Sequence, residues 1–175
     1  MDHRELAEKI AEVALLHGDF TLRSGRKSSY YLDKYLFSTR PQLLREVAAL
    51  FAERIDTSVV DRLAGAELGG IPLVTATSLA TGLPSLFVRN ARKDYGTGKR
   101  FEGVLNRGDR VVLLEDVATS GGQALEAAKD LEAQGAEITA IIAVIDRQEG
   151  ARENVENAGY KFDALFTKSD LGIND

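Results

Sequence analysis

Apolar positions along the chain follow two rhythms, one near the N-terminus and another from the middle onward. Leu6, Ile10, Val13 and His17 recur at helical spacing and Gly18 follows as a stop, which predicts a first helix ending there. Phe20-Thr21-Leu22-Arg23-Ser24-Gly25-Arg26-Lys27-Ser28-Ser29-Tyr30-Tyr31-Leu32-Asp33 then sets a Ser-Gly turn between two aromatic and β-branched arms. That pattern predicts a short hairpin or a loop-strand segment. A second helix is expected from Pro41, a residue tolerated in a first turn, with Leu44, Val47, Ala48, Phe51 and Ile55 on one face.

From about Val59 the order becomes strand, loop, helix, repeated. Strands are expected at 59–65, 86–88, 111–114, 138–145 and 162–166, and helices at 71–80, from Ala124 to the Gly135 stop, and at 150–158. The stretch 89–103 is polar, contains glycines and lacks periodicity, so it reads as a loop. Alternation of this kind predicts an α/β fold with a mostly parallel central sheet flanked by helices. No internal repeat, low-complexity tract or interdomain linker interrupts 1–175, which predicts a single domain.

Charge sharpens the picture. The formal net charge is −5, which argues against a general nucleic-acid binder. Yet Arg89, Arg92, Lys93, Lys99 and Arg100 cluster in the predicted loop, a local cationic patch suited to a small anionic ligand. The N-terminal residues carry no basic-then-apolar leader, and no apolar run approaches the ~20 residues that cross a bilayer. A soluble, cytoplasmic protein without a membrane partner is expected.

The most informative segment is Val111-Val112-Leu113-Leu114-Glu115-Asp116-Val117-Ala118-Thr119-Ser120-Gly121-Gly122-Gln123. A buried strand brings two adjacent carboxylates to the carboxyl edge of the sheet, where open α/β folds place ligands. A Thr-Ser-Gly-Gly loop then opens a helix. First-turn amides of that helix point outward, and the glycines admit a phosphate close to the backbone. A nucleoside-triphosphate loop would carry Lys after the glycines, where Gln123 stands here. Paired acids beside a phosphate nest suit a ribose 5-phosphate, the acids taking vicinal hydroxyls and the loop taking the phosphate. Cysteine is absent and only His3 and His17 are available, so any metal would be a hard cation held by oxygens. Magnesium carried on substrate phosphates fits best, with no metal bound directly by protein groups.

At these residues the sequence resembles the type I phosphoribosyltransferases, and within them the orotate phosphoribosyltransferase family. The run from Phe20 to Tyr31, the loop 89–103 and Asp146-Arg147 carry the closer likeness, in order over nearly the whole chain. The resemblance implies transfer of the phosphoribosyl group of 5-phosphoribosyl 1-diphosphate (PRPP) to orotate, giving orotidine 5′-monophosphate in pyrimidine biosynthesis, with Mg2+. It implies that the segment Glu115 through Gln123 binds PRPP, with Glu115 and Asp116 on the ribose. Arg89, Lys93 and Tyr95 would contact the diphosphate, Lys93 as the main catalytic cation, and Glu67, Leu68, Gly69 and Gly70 would line the diphosphate pocket. Thr119 and Arg147 would contact orotate, Arg147 facing its carboxylate, while Arg23, Tyr30 and Tyr31 help cover the substrates. An N-terminal hood at about 1–40, an α/β core at about 55–168 and a homodimer are implied as well. Two departures stand out: Asn90 where the family often has Lys, and Tyr95 where many members have His.

Other readings stay open on the residues alone. A purine or uracil phosphoribosyltransferase would share the cradle. A nucleotide-sensing regulator could keep the fold without turnover, though such a protein needs a nucleic-acid surface that this chain does not advertise.

Overall fold

The computed structural model describes residues 1–21, 25, 27–90 and 100–174. Helix α1 (His3–Ala14) opens on Asp2, whose carboxylate accepts the Glu5 N–H at 2.8 Å. It ends three residues before the predicted His17, because Leu15 turns extended and starts β1 (Leu15–Thr21). This strand pairs antiparallel with β2 (Lys27–Leu32), matching Leu15 to Leu32 and His17 to Tyr30. A partner strand thus overrides the helical spacing, and the expected hairpin is present with a longer first arm. A short helix that the sequence pattern does not announce, α2 (Tyr35–Ser38), follows and buries Phe37. Next comes α3 (Pro41–Arg54), with Pro41 in its first turn.

The remaining elements build one sheet. They are β3 (Arg62–Ala66), α4 (Gly70–Thr81), β4 (Ser85–Val88), β5 (Phe101–Glu102), β6 (Arg110–Ala118), α5 (Gly122–Ala133), β7 (Glu137–Asp146), α6 (Ala151–Asn157) and β8 (Phe162–Thr167). The order across the sheet is β5-β4-β3-β6-β7-β8, parallel throughout except for β5. Two expectations change in detail. The first strand begins at Arg62 rather than Val59, because Asp56 accepts the N–H of Ser58 through its side chain and that of Val59 through its carbonyl, folding 56–59 into a turn. Within the predicted loop 89–103, the buried Phe101 pairs with Val88 and makes the short edge strand β5.

Helices cover both faces of the sheet. Val112 and Leu114 of β6 pack with Ile10, Phe37, Phe51 and Leu73 on one side. Val111 and Leu113 point to the other, against Leu86, Ala128, Leu131 and Val155. Such period-two alternation inside an all-apolar run is what a strand buried on both faces requires. The chain leaves β3 for β4 on one side, then returns to place β6 on the other. The carboxyl ends of β3 and β6 therefore flank a topological switch point, where open parallel sheets leave a crevice.

Candidate active site

Strand β6 runs four residues past its predicted end, since Glu115, Val117 and Ala118 continue the parallel pairing with Ala143, Ile145 and Asp146. Both acids therefore belong to the strand, and both are buried. Glu115 Oε1 accepts the Asp116 N–H at 3.1 Å, and Asp116 Oδ1 accepts the Val117 N–H at 2.6 Å. Burial, and then the neighbouring Asp116 charge, push the Glu115 carboxyl up to about 8. Two carboxylates this close keep a proton because the second charge has little solvent to spread into.

Beyond β6, Gly121 adopts a left-handed conformation (φ +79°) and α5 starts without any side-chain cap. Its first-turn amides have no intrahelical acceptor, and Gly121, Gly122, Gln123 and Ala124 line a cavity of about 100 Å³ with Glu115, Val117, Ala118, Thr119 and Ser120. The loop is braced from behind. Asn154 donates to the Ser120 carbonyl at 2.8 Å, and a Cβ on Gly121 would meet Val155 at 3.0 Å. A small pocket of N–H and hydroxyl donors at a helix N-terminus offers the donors that an anion the size of a phosphate needs.

Across the switch point lies the turn Glu67-Leu68-Gly69-Gly70 that leads from β3 into α4. A Cβ on Gly69 would fall 1.6 Å from Asp116 Oδ2, so only glycine lets that carboxylate approach. On its other flank, Asp116 Oδ2 receives the Lys34 ammonium at 2.7 Å. Burial alone would push Lys34 down, but the charge and hydrogen bond of Asp116 more than offset it and the ammonium ends above its ordinary value. Residue spacing gives no hint of this pair, because Lys34 sits in the unannounced turn before α2.

The outer rim of the crevice is tied together by Asn90. Its N–H donates to Glu67 Oε1 at 2.5 Å, its carbonyl accepts from Arg100 at 2.9 Å, and its side-chain oxygen accepts from Gln123 at 3.2 Å. Arg89 pairs with Glu102 at 3.0 Å. Lys93 and Tyr95, like Arg23, lie outside the described residues.

A second cavity, of about 710 Å³, is lined by Lys27, Ser28, Ser29, Tyr30, Arg147, Gln148, Glu149 and Lys168. Arg147 donates to the Tyr30 hydroxyl at 3.0 Å and pairs with Glu149 at 3.0 Å, its guanidinium carbon 5.6 Å from the Tyr30 ring centre. The Arg147 N–H also donates to the Ala118 carbonyl at 3.0 Å, fastening this cavity beside the phosphate cradle. Arg147 and Tyr30 are thus brought together. Tyr31 is not part of that group: strand alternation turns it to the opposite face of β2, where it is exposed with its ring 5.7 Å from Phe20. Thr119 lines the cradle rather than the Arg147 cavity. Lys27, Gln148 and Lys168 are lining residues that no motif marks in advance.

The phosphoribosyl transferase domain model matches residues 37–162, most of the chain and all of the cradle. An orotate phosphoribosyltransferase of Methanosarcina acetivorans is 49% identical over 90% of this chain and 84% of its own length. The chain belongs to the orotate phosphoribosyltransferase family. Crystal structures agree with that placement. The orotate phosphoribosyltransferase of Mycobacterium tuberculosis H37Rv superposes with a TM-score of 0.89 at 31% identity, covering 99% of this chain and 100% of that one. The same enzyme in complex with PRPP gives a TM-score of 0.85 at 30% identity, with coverage of 99% and 100%. A family that moves a phosphoribosyl group accounts for a phosphate-sized cradle with the Glu115 carboxyl at its wall.

Proposed function

We propose that this chain transfers the phosphoribosyl group of PRPP to orotate, giving orotidine 5′-monophosphate and diphosphate, with the 5-phosphate seated in the cradle 115–123. The carrying observation is the uncapped α5 N-terminus at Gly121, opening into a small cavity whose wall is Glu115. In that seat the phosphate takes the amides of Gly121 to Gln123 and the hydroxyls of Thr119 and Ser120. The ribose hydroxyls then hydrogen-bond to Glu115 and Asp116, and the negative charge that the proton-sharing pair carries lies where the anomeric carbon becomes cation-like.

Departing diphosphate would lie along the turn Glu67, Leu68, Gly69 and Gly70, which Gly69 lets pack directly against Asp116. Arg89, Lys93 and Tyr95 are assigned to its charge. By the family resemblance the cation is assigned to the substrate's own phosphate oxygens. Magnesium bound there would neutralise the leaving group. Orotate would enter the Arg147 cavity, its carboxylate replacing Glu149 as the partner of Arg147. Tyr30 would stack over the ring, and Thr119 stands at the junction with the sugar. Tyr31 and Arg23 are assigned to covering the site. A homodimer is part of this reading, by the family resemblance.

The deciding assay follows base depletion with PRPP and magnesium, using orotate beside uracil, hypoxanthine and adenine. Consumption of orotate alone is expected; preference for another base would reject the assignment. Arg147→Ala is expected to raise the KM for orotate about tenfold or more, as loss of a charged hydrogen bond does. Lys93→Ala should lower kcat at least ~100-fold with the fold intact by circular dichroism.

A further inference from the structure

Lys34 has no assigned role in the transfer, yet it meets the acidic pair directly. Its turn is fixed on both sides. The Asp33 N–H donates to the Ala14 carbonyl at 2.8 Å, the Asp33 carboxylate accepts the Tyr35 N–H at 3.1 Å, and Phe37 is fully buried one turn further on. The ammonium is therefore delivered from a rigid point of the N-terminal segment, not from a free surface side chain. Its side chain is one-third exposed, whereas that of Asp116 is 4% exposed.

Asp116 is held from three directions. Val117 N–H takes Oδ1, Lys34 takes Oδ2, and the backbone of Gly69 closes the side on which Oδ2 lies. The groups facing this carboxylate are Glu115 on the same strand and Lys34 from the turn before α2. Tyr35 follows, its ring centre 5.7 Å from the ammonium, while the turn into α4 presents Gly69, without charge. A buried carboxylate deprived of its cation beside a second acid either takes up a proton or turns away. Either outcome spoils an acceptor for sugar hydroxyls.

We propose that Lys34 is a positioning residue of the sugar site, holding Asp116 in the orientation in which the acidic pair receives the ribose hydroxyls. This rests on the reading of Glu115 and Asp116 as the ribose-binding acids. It makes the N-terminal segment a determinant of PRPP recognition as well as a cover for the base.

The test compares the parent chain with Lys34→Met, Lys34→Gln and Lys34→Arg in steady-state assays with PRPP and orotate varied in turn. Lys34→Met is expected to raise the KM for PRPP about tenfold or more while the KM for orotate stays within twofold. Lys34→Arg, which returns a cation to Asp116, should bring the PRPP KM most of the way back. Should Lys34→Met fail to fold by circular dichroism, Lys34→Gln, one bond shorter but with a neutral donor, carries the same comparison. A folded variant with an unchanged PRPP KM overturns the proposal. So does an equal rise in both KM values that arginine does not repair. A parent chain that fails to bind PRPP at all would instead overturn the function proposed above, which separates the two failures.

Discussion

Glu115 illustrates what a single side chain does when a strand carries it into the core beside another acid. Its carboxyl, pushed up to about 8 by burial and by Asp116, keeps a proton that the unfolded chain releases near the ordinary glutamate value. The fold is therefore favoured most below that value and loses this contribution as pH rises toward 8. Thermal melts of Glu115→Gln should show a shallower fall in midpoint between pH 5 and 8 than the parent, and parallel curves would contradict the coupling. Asp61 shows the opposite sign. Its hydrogen bonds from Arg110 hold it at about 2, so its contribution is intact above the ordinary aspartate value and disappears as pH falls from there toward 2. At this scale the sequence was informative where residue type was unusual for its place. Two acids ending an apolar run announce themselves, whereas Arg147 after a strand stands out only through the family resemblance. Lys34 does not, because nothing in its neighbourhood points to a partner so far along the chain. Tyr30 and Tyr31 form one motif in sequence but face opposite ways, since the pleat separates neighbours.

Among the elements, the turn from β3 into α4 has the least freedom. Gly69 has an ordinary right-handed backbone, so alanine there would be harmless but for the carboxylate 1.6 Å from its Cβ. Gly69→Ala is expected to cost roughly 1–3 kcal/mol in denaturant unfolding and to raise the KM for PRPP, as forced displacement of packed groups does. Gly82, at the left-handed C-cap of α4 with nothing within 4 Å of its Cβ, provides the comparison. There alanine meets only a backbone penalty of about 1 kcal/mol and should leave both KM values unchanged. Element boundaries were legible where a local stop exists, as at Gly82, and illegible where a distant strand decides. Leu15 to His17 continue a helical pattern yet pair with Tyr30 to Leu32. Phe101 sits in a polar stretch yet completes the sheet edge. Hydrophobic period describes a segment alone, whereas pairing is decided by what lies alongside it.

For the molecule as a whole, alternation of strands and helices predicted the fold class, but not the order in which the strands lie. That order matters most for function, because the reversal after β3 brings residues 67–70 and 115–123 to either side of one crevice. A ligand gripping both sides should stabilise the whole fold. PRPP at a hundred times its Kd is expected to add about 2.7 kcal/mol to unfolding, visible as a rise in Tm that inorganic phosphate at equal concentration only partly reproduces. The edge of the sheet has a different consequence. Val88 pairs with Phe101, and the Arg89 N–H donates to the Arg100 carbonyl at 2.7 Å, so residues 88–89 and 100–101 are fastened together at one clasp. Closing a longer loop at a clasp adds only about 0.6 kcal/mol per doubling of length. A change of length between Arg89 and Arg100 is thus expected to leave the melting point almost where it was, so turnover and stability can be altered separately there, Lys93 governing the first and the clasp the second.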